Sequence, residues 1–186
     1  MNKTQIKELC RAIAQMSATD KTKDTFTIKD NFVYFTPEGH RGYKINVNVL
    51  SEAVEELPQS NYSRSISDVF NVIVTYGINQ ININQSDLLQ LARQHKKENS
   101  KTPFIFEYHG KNYGFQSRYI IDALKTLGTK SKISISNEKY AKLYIESEIG
   151  AIIILPMRLN ANGTIKADYT EWNNWLMEEL KNERNY

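Results

Sequence analysis

The chain has 186 residues, 40% apolar and 24% charged, with eight glycines, four prolines and a net charge of +3. That length can bury a core in one large domain or two small ones, and the mild positive charge permits contact with nucleic acid without requiring it. A single cysteine, Cys10, excludes an internal disulfide. No apolar run nears the roughly 18 residues that cross a bilayer, and the polar N-terminus has no secretory signal, so a soluble cytoplasmic protein is expected.

Residues 3–17 place Ile6, Leu9, Cys10, Ile13 and Met16 at helical spacing, with Lys3, Lys7 and Arg11 on the opposite side. Alternation then predicts two strands in "TFTIKD" and "NFVYFT", turning at Asp30-Asn31. "PEGHRG" reads as a loop, "YKINVNV" as a third strand, and "LSEAVEELP" as a short helix closed by Pro58. That helix would be acidic outside through Glu52, Glu55 and Glu56. A Ser/Asn-rich linker covers residues 59–68. Much of the same order then returns, with "VFNVIVTY" and "INQININ" as a hairpin around Gly77. "QSDLLQLARQHKKE" is predicted as a helix capped at Ser86 or Asp87, with Leu88, Leu91 and Ala92 facing inward. "TPFIFEYHGKNYGFQS" reads as a hairpin turning at His109-Gly110. "RYIIDALKTLG" reads as a helix ended by Gly128, followed by strands in "KISISNE", "AKLYIESE" and "AIIILP". The recurrence implies an internal repeat of roughly 75 to 80 residues and two similar domains. The tail opens on the turn-like "NANG". It ends in an apolar stripe of Trp172, Trp175, Leu176 and Leu180, preceded by capping-box spacing at Asp168 and Glu171.

Catalytic patterns are missing from this string. His40, His95 and His109 sit in separate segments without metal-ligand spacing, and His95 is expected to be solvated beside Lys96 and Lys97. "GKNYG" lacks the spacing of a phosphate loop. No enzyme, metal or cofactor is expected.

Residues 111–159, from "KNYGFQSRYIIDALKTLG" to "AIIILPMRL", resemble the last part of the bacterial DNA polymerase III beta subunit family, the DNA sliding clamps. Tyr119 to Lys125 stand in its Tyr-Leu-Leu-Asp-Ala-Leu-Lys motif, and Leu155, Pro156, Met157, Arg158 and Leu159 in its terminal Met-Pro-Met-Arg-Leu. "ININQSDLLQLARQ" is similar to the opening of the same domain. "NFVYFTPEGHRGYKI" resembles the middle clamp domain, with Gly39, His40 and Arg41 in its Gly-His-Arg. Here Pro-Glu replaces a single Asp, Gly42 replaces a Leu, each repeat is short, and the first clamp domain has no counterpart.

This resemblance implies an α+β fold of two shortened sliding-clamp-like repeats, with helices packed on antiparallel sheets and a C-terminal helix added. The units would be 1–68, 69–159 and an extension at 160–186. It implies a non-enzymatic processivity factor in DNA replication, associated with the nucleoid. Its partners would be non-specific double-stranded DNA and polymerases or other clamp-binding proteins. Two domains per chain would need a homotrimer to close a six-domain ring. A peptide pocket would be walled by Ile153, Leu155, Pro156, Met157 and Leu159 and rimmed by Gly39, His40, Arg41 and Arg158. DNA phosphates would meet Lys3, Lys7, Arg11, Arg93, Lys96, Lys97, Arg118 and Lys125. The alternative is a clamp-fold protein that binds partners without encircling DNA. The two tryptophans lead to the further expectation that the tail packs over or near the pocket, or builds a new interface.

Overall fold

A computed structural model describes residues 1–17, 27–37, 40–52, 70, 77–99, 102–128, 130–137, 141–157 and 159. The first helix, α1 (Lys3–Ser17), forms as its periodicity predicts, burying Leu9, Ala12 and Ile13. It begins at a reciprocal cap: the Asn2 side chain accepts from the Gln5 N–H at 3.0 Å, and Gln5 Oε1 accepts from the Asn2 N–H at 2.9 Å. The Met16 side chain, expected on the same face, lies outside the described residues.

Strands β1 (Thr27–Lys29) and β2 (Phe32–Phe35) pair around Asp30 and Asn31, both at positive φ (51° and 68°). A two-residue loop with both centres left-handed matches the strand twist, and Asp and Asn tolerate that conformation. β3 (Arg41–Asn46) starts earlier than expected: Arg41 and Gly42 are strand rather than loop. Helix α2 (Val47–Ser51) also starts early, because Asn46 ends the strand by capping the Asn48 N–H at 2.9 Å. The rest of that expected helix, the linker and "VFNVIVTY" except Phe70 lie outside the described residues.

Further along come β4 (Ile78–Gln80), α3 (Gln85–Glu98), β5 (Phe104–Tyr108), β6 (Lys111–Phe115), α4 (Ser117–Leu127), β7 (Lys132–Ser136), β8 (Leu143–Ser147) and β9 (Gly150–Ile154). The cap of α3 is Asn84, not Ser86 or Asp87; its side chain accepts from the Ser86 N–H at 2.8 Å. Leu91 is 47% exposed, whereas Leu88 and Ala92 are fully buried. The β5–β6 hairpin turns at His109-Gly110 and α4 stops at Gly128 (φ 83°), both as read from the sequence.

The protein is thus α+β with antiparallel sheets. Among the described residues, seven strands run in the order β1-β2-β3-β9-β8-β7-β4, and β5-β6 form a second sheet. The pairing of β3 with β9 joins strands from the two halves of the chain in one sheet. Helix α4 touches both α1 and α3 and lies over β8 and β9. Between helices and sheet sits the main core, including Leu9, Phe35, Ile45, Ile120, Leu124, Ile145 and Ile152. The opposite sheet face carries a smaller cluster of Tyr34, Phe70, Tyr144, Ala151 and Ile153. Both faces of β9 are therefore buried, which is why "AIIIL" reads as an unbroken aliphatic run. Gly150 opens β9 at φ 151°, and a Cβ there would stand 2.1 Å from the Lys44 carbonyl oxygen, so only glycine fits this close approach.

Candidate functional site

The two segments that carry the clamp resemblance meet at the β3–β9 pairing. Arg41 pairs with Ile154, Gly42 with Ile153 and Tyr43 with Ile152. One step further, the Leu155 N–H donates to the His40 carbonyl at 3.0 Å. Pro156 is buried and ends regular pairing, as a residue without an N–H must. The chain then crosses to the second sheet, where the Met157 N–H donates to the Gly114 carbonyl at 2.7 Å in an isolated antiparallel bridge. Leu159 packs over Gly114, where its Cδ2 would lie 2.9 Å from an added Cβ.

Strand geometry divides the expected pocket residues between two faces, because neighbours along a strand point oppositely. Arg41 points to the helices and is 2% exposed, so it does not form a polar rim. Its Nη1 donates to Asp122 Oδ2 at 2.9 Å and its Nη2 to Gln15 Oε1 at 3.0 Å. The guanidinium also lies 4.8 Å from the Tyr119 ring centre and 5.8 Å from that of Tyr43. A buried guanidinium needs this many partners to offset its lost hydration. Ile153 points the other way, 1% exposed among Tyr34, Tyr144, Ala151 and Phe70. It fills a core and walls no open surface. Gly42 lies opposite it, also buried.

What remains accessible at the meeting point is His40, Leu155, Met157 and Leu159, all partly buried. The His40 ring stacks on Tyr119 at 6.2 Å between centres and 23° between planes. Gly39 and Arg158 lie outside the described residues. Burial pushes the Tyr144 hydroxyl up to about 12, aided by the charge and hydrogen bond of Glu146, and raises Tyr34 similarly in direction, with help from Asp30.

The eight candidate DNA-contacting cations are also sorted by the structure. Lys3, Lys7, Arg93, Lys96 and Lys97 are exposed. Arg11 Nη1 is 3.3 Å from Glu8 Oε2, and Lys125 Nζ is 3.6 Å from Glu8 Oε1, so one largely buried carboxylate holds two cations across the α1–α4 seam. Arg118 Nε is 3.7 Å from the same Asp122 oxygen that Arg41 holds.

His95 departs from its solvated expectation. It is partly buried, with Nδ1 2.6 Å from Ser117 Oγ and its ring edge-on to Phe104 at 5.5 Å between centres. It fastens the end of α3 to the start of α4, a role invisible among its charged neighbours in sequence. Gln15 and Gly114 likewise gain their roles only from distant partners. Among the described residues, no group of three or more His, Cys, Asp or Glu side chains could hold a metal ion, and no helix is long and apolar enough to cross a membrane.

No protein-family profile and no curated protein matches the chain. Among solved structures, a protein of Eubacterium rectale ATCC 33656, provisionally described as a DNA polymerase III beta subunit, is similar at a TM-score of 0.46 and 14% identity. The match covers 81% of this chain but only 64% of that one, and a likeness at this level assigns the chain to no family.

Proposed function

We propose that this chain is a non-catalytic, sliding-clamp-like scaffold. Partner peptides would dock where His40 meets Leu155, Met157 and Leu159, and the helix layer would lie along double-stranded DNA. The single observation that carries this reading is the contact of two segments far apart in sequence, each resembling a clamp motif, through Leu155 N–H and the His40 carbonyl. On this reading residues 1–68 and 69–159 are two reduced clamp-like units, 160–186 is an addition, and three chains close a ring. The exposed Lys3, Lys7, Arg93, Lys96 and Lys97 would contact phosphates, giving binding that weakens steeply with salt and ignores base sequence.

The test is light scattering with and without nicked circular DNA. A trimer that stays on the circle at moderate salt and leaves once the DNA is linearised supports encirclement. A second reading, a protein-docking module that never encircles DNA, is favoured by Arg11, Arg118 and Lys125 being engaged with Glu8 and Asp122. A monomer with no retention on circles, but with saturable binding of a polymerase-derived clamp-binding peptide, selects that reading. Failure of both DNA and peptide binding rejects the two together.

A further inference from the structure

Strand register places Ile105, Gly114 and Met157 in one row on one face of the small sheet. Ile105 pairs with Gly114, and Gly114 bridges to Met157. The opposite face of the same hairpin sends Phe106 and Phe115 into the main core, with Phe104 and Tyr113 against it. The row therefore faces outward, and Ile105 is 44% exposed. Leu159 and Pro103 close over the notch left by the missing Gly114 side chain. The result is an apolar strip of Ile105, Met157 and Leu159. Beside it, Thr102 Oγ1 is 3.4 Å from His95 Nε2, at the end of α3 that carries exposed Lys96 and Lys97.

We infer that this strip is the docking surface for the chain's own residues 168–181. Four facts select that occupant. The chain leaves the described structure at Leu159, on the strip itself, and 27 residues follow. Twelve residues separate Leu159 from Trp172, a tether of up to about 40 Å, long enough to fold back after the turn-forming "NANG". A short tether also raises the local concentration of the docking segment to roughly the millimolar range. Residues 160–186 hold five acidic residues (Asp168, Glu171, Glu178, Glu179, Glu183) against three basic, opposite in charge to Lys96 and Lys97. Trp172, Trp175, Leu176 and Leu180 recur at helical spacing and supply aromatic anchors of the kind that dominate docking energies.

Both tryptophans of the protein lie in this segment, so tryptophan fluorescence of the full chain reports on it alone. Docking gives blue-shifted emission and weak acrylamide quenching, both independent of protein concentration. Ile105→Lys, and the milder Ile105→Ser, then shift emission to the red and raise quenching. Ile28→Lys, at an exposed position on the far edge strand β1, leaves the signal unchanged. Emission of free indole in the unaltered protein overturns the inference. So does shielding that survives both Ile105 substitutions, and so does shielding seen only where light scattering reports more than one copy, which assigns the strip to a second chain. None of these readouts involves DNA or partner peptides, so loss of the proposed function leaves the result standing.

Discussion

Arg41 and Ile153 sit almost side by side where β3 crosses to β9, yet they belong to different environments. Arg41 faces the helices and is fixed by Asp122, Gln15 and two tyrosine rings; Ile153 faces an aromatic cluster of Tyr34, Phe70 and Tyr144. The helix face at this point is held by a directional, charge-assisted network, and the other by apolar packing. A motif that reads as one continuous patch along the chain is therefore split by the sheet it helps to build. Among the described residues, His40 on one side and Leu155, Met157 and Leu159 on the other, where Pro156 releases the chain from the sheet, are left to present a surface.

The sharpest way to break this comparison is Arg41→Ala, which leaves Asp122 buried without its closest partner. Urea denaturation should show a loss of about 3 to 5 kcal/mol, while Arg41→Met combined with Asp122→Leu should recover most of it. On the other face, Ile153→Ala opens a cavity in the aromatic cluster. A loss of about 2 to 4 kcal/mol is expected, with no dependence on salt.

The same face should respond to alkali. Tyr144 ionises at about 12 when folded against an ordinary 10.0. The folded state thus favours the neutral phenol: stability is intact below pH 10 and falls as pH rises toward 12, by roughly 2 to 3 kcal/mol at most. Tyr144→Phe should flatten that part of the profile, whereas Arg41→Ala should leave it in place. The smallest effect belongs to Arg118, which shares Asp122 from 3.7 Å with its side chain 40% exposed. Arg118→Ala should cost less than about 1 kcal/mol, and that cost should shrink further in high salt, unlike the Arg41 term.

Much of the local structure was legible in the sequence. The helices at 3–17, 85–98 and 117–127, and the turns at Asp30-Asn31 and His109-Gly110, follow from periodicity and turn chemistry that neighbouring residues decide among themselves. Boundaries set by side-chain capping were less legible. Asn46 and Asn84 took the capping roles because each could reach an N–H two residues on, which moved one helix start and replaced the expected cap of another. Leu91 and His95 were misplaced because helical spacing defines a stripe but not its edges. The edge is set by where the neighbouring hairpin and α4 happen to pack.

The candidate site was legible in its segments and not in its orientation. The two resembling motifs were found in sequence, and the structure brings them into contact. Yet "AIIIL" carries no alternation, because both faces of β9 are covered, so periodicity cannot tell which isoleucine faces which core. Composition, turns and helix periods are short-range and were determined by the sequence itself. The Arg41–Asp122 pair across 81 residues, the split of the pocket between two faces, and the crossing of Met157 onto Gly114 were decided by the tertiary structure alone. They depend on strand order and register, which follow from burying apolar surface over the whole chain and not from any local stretch of it.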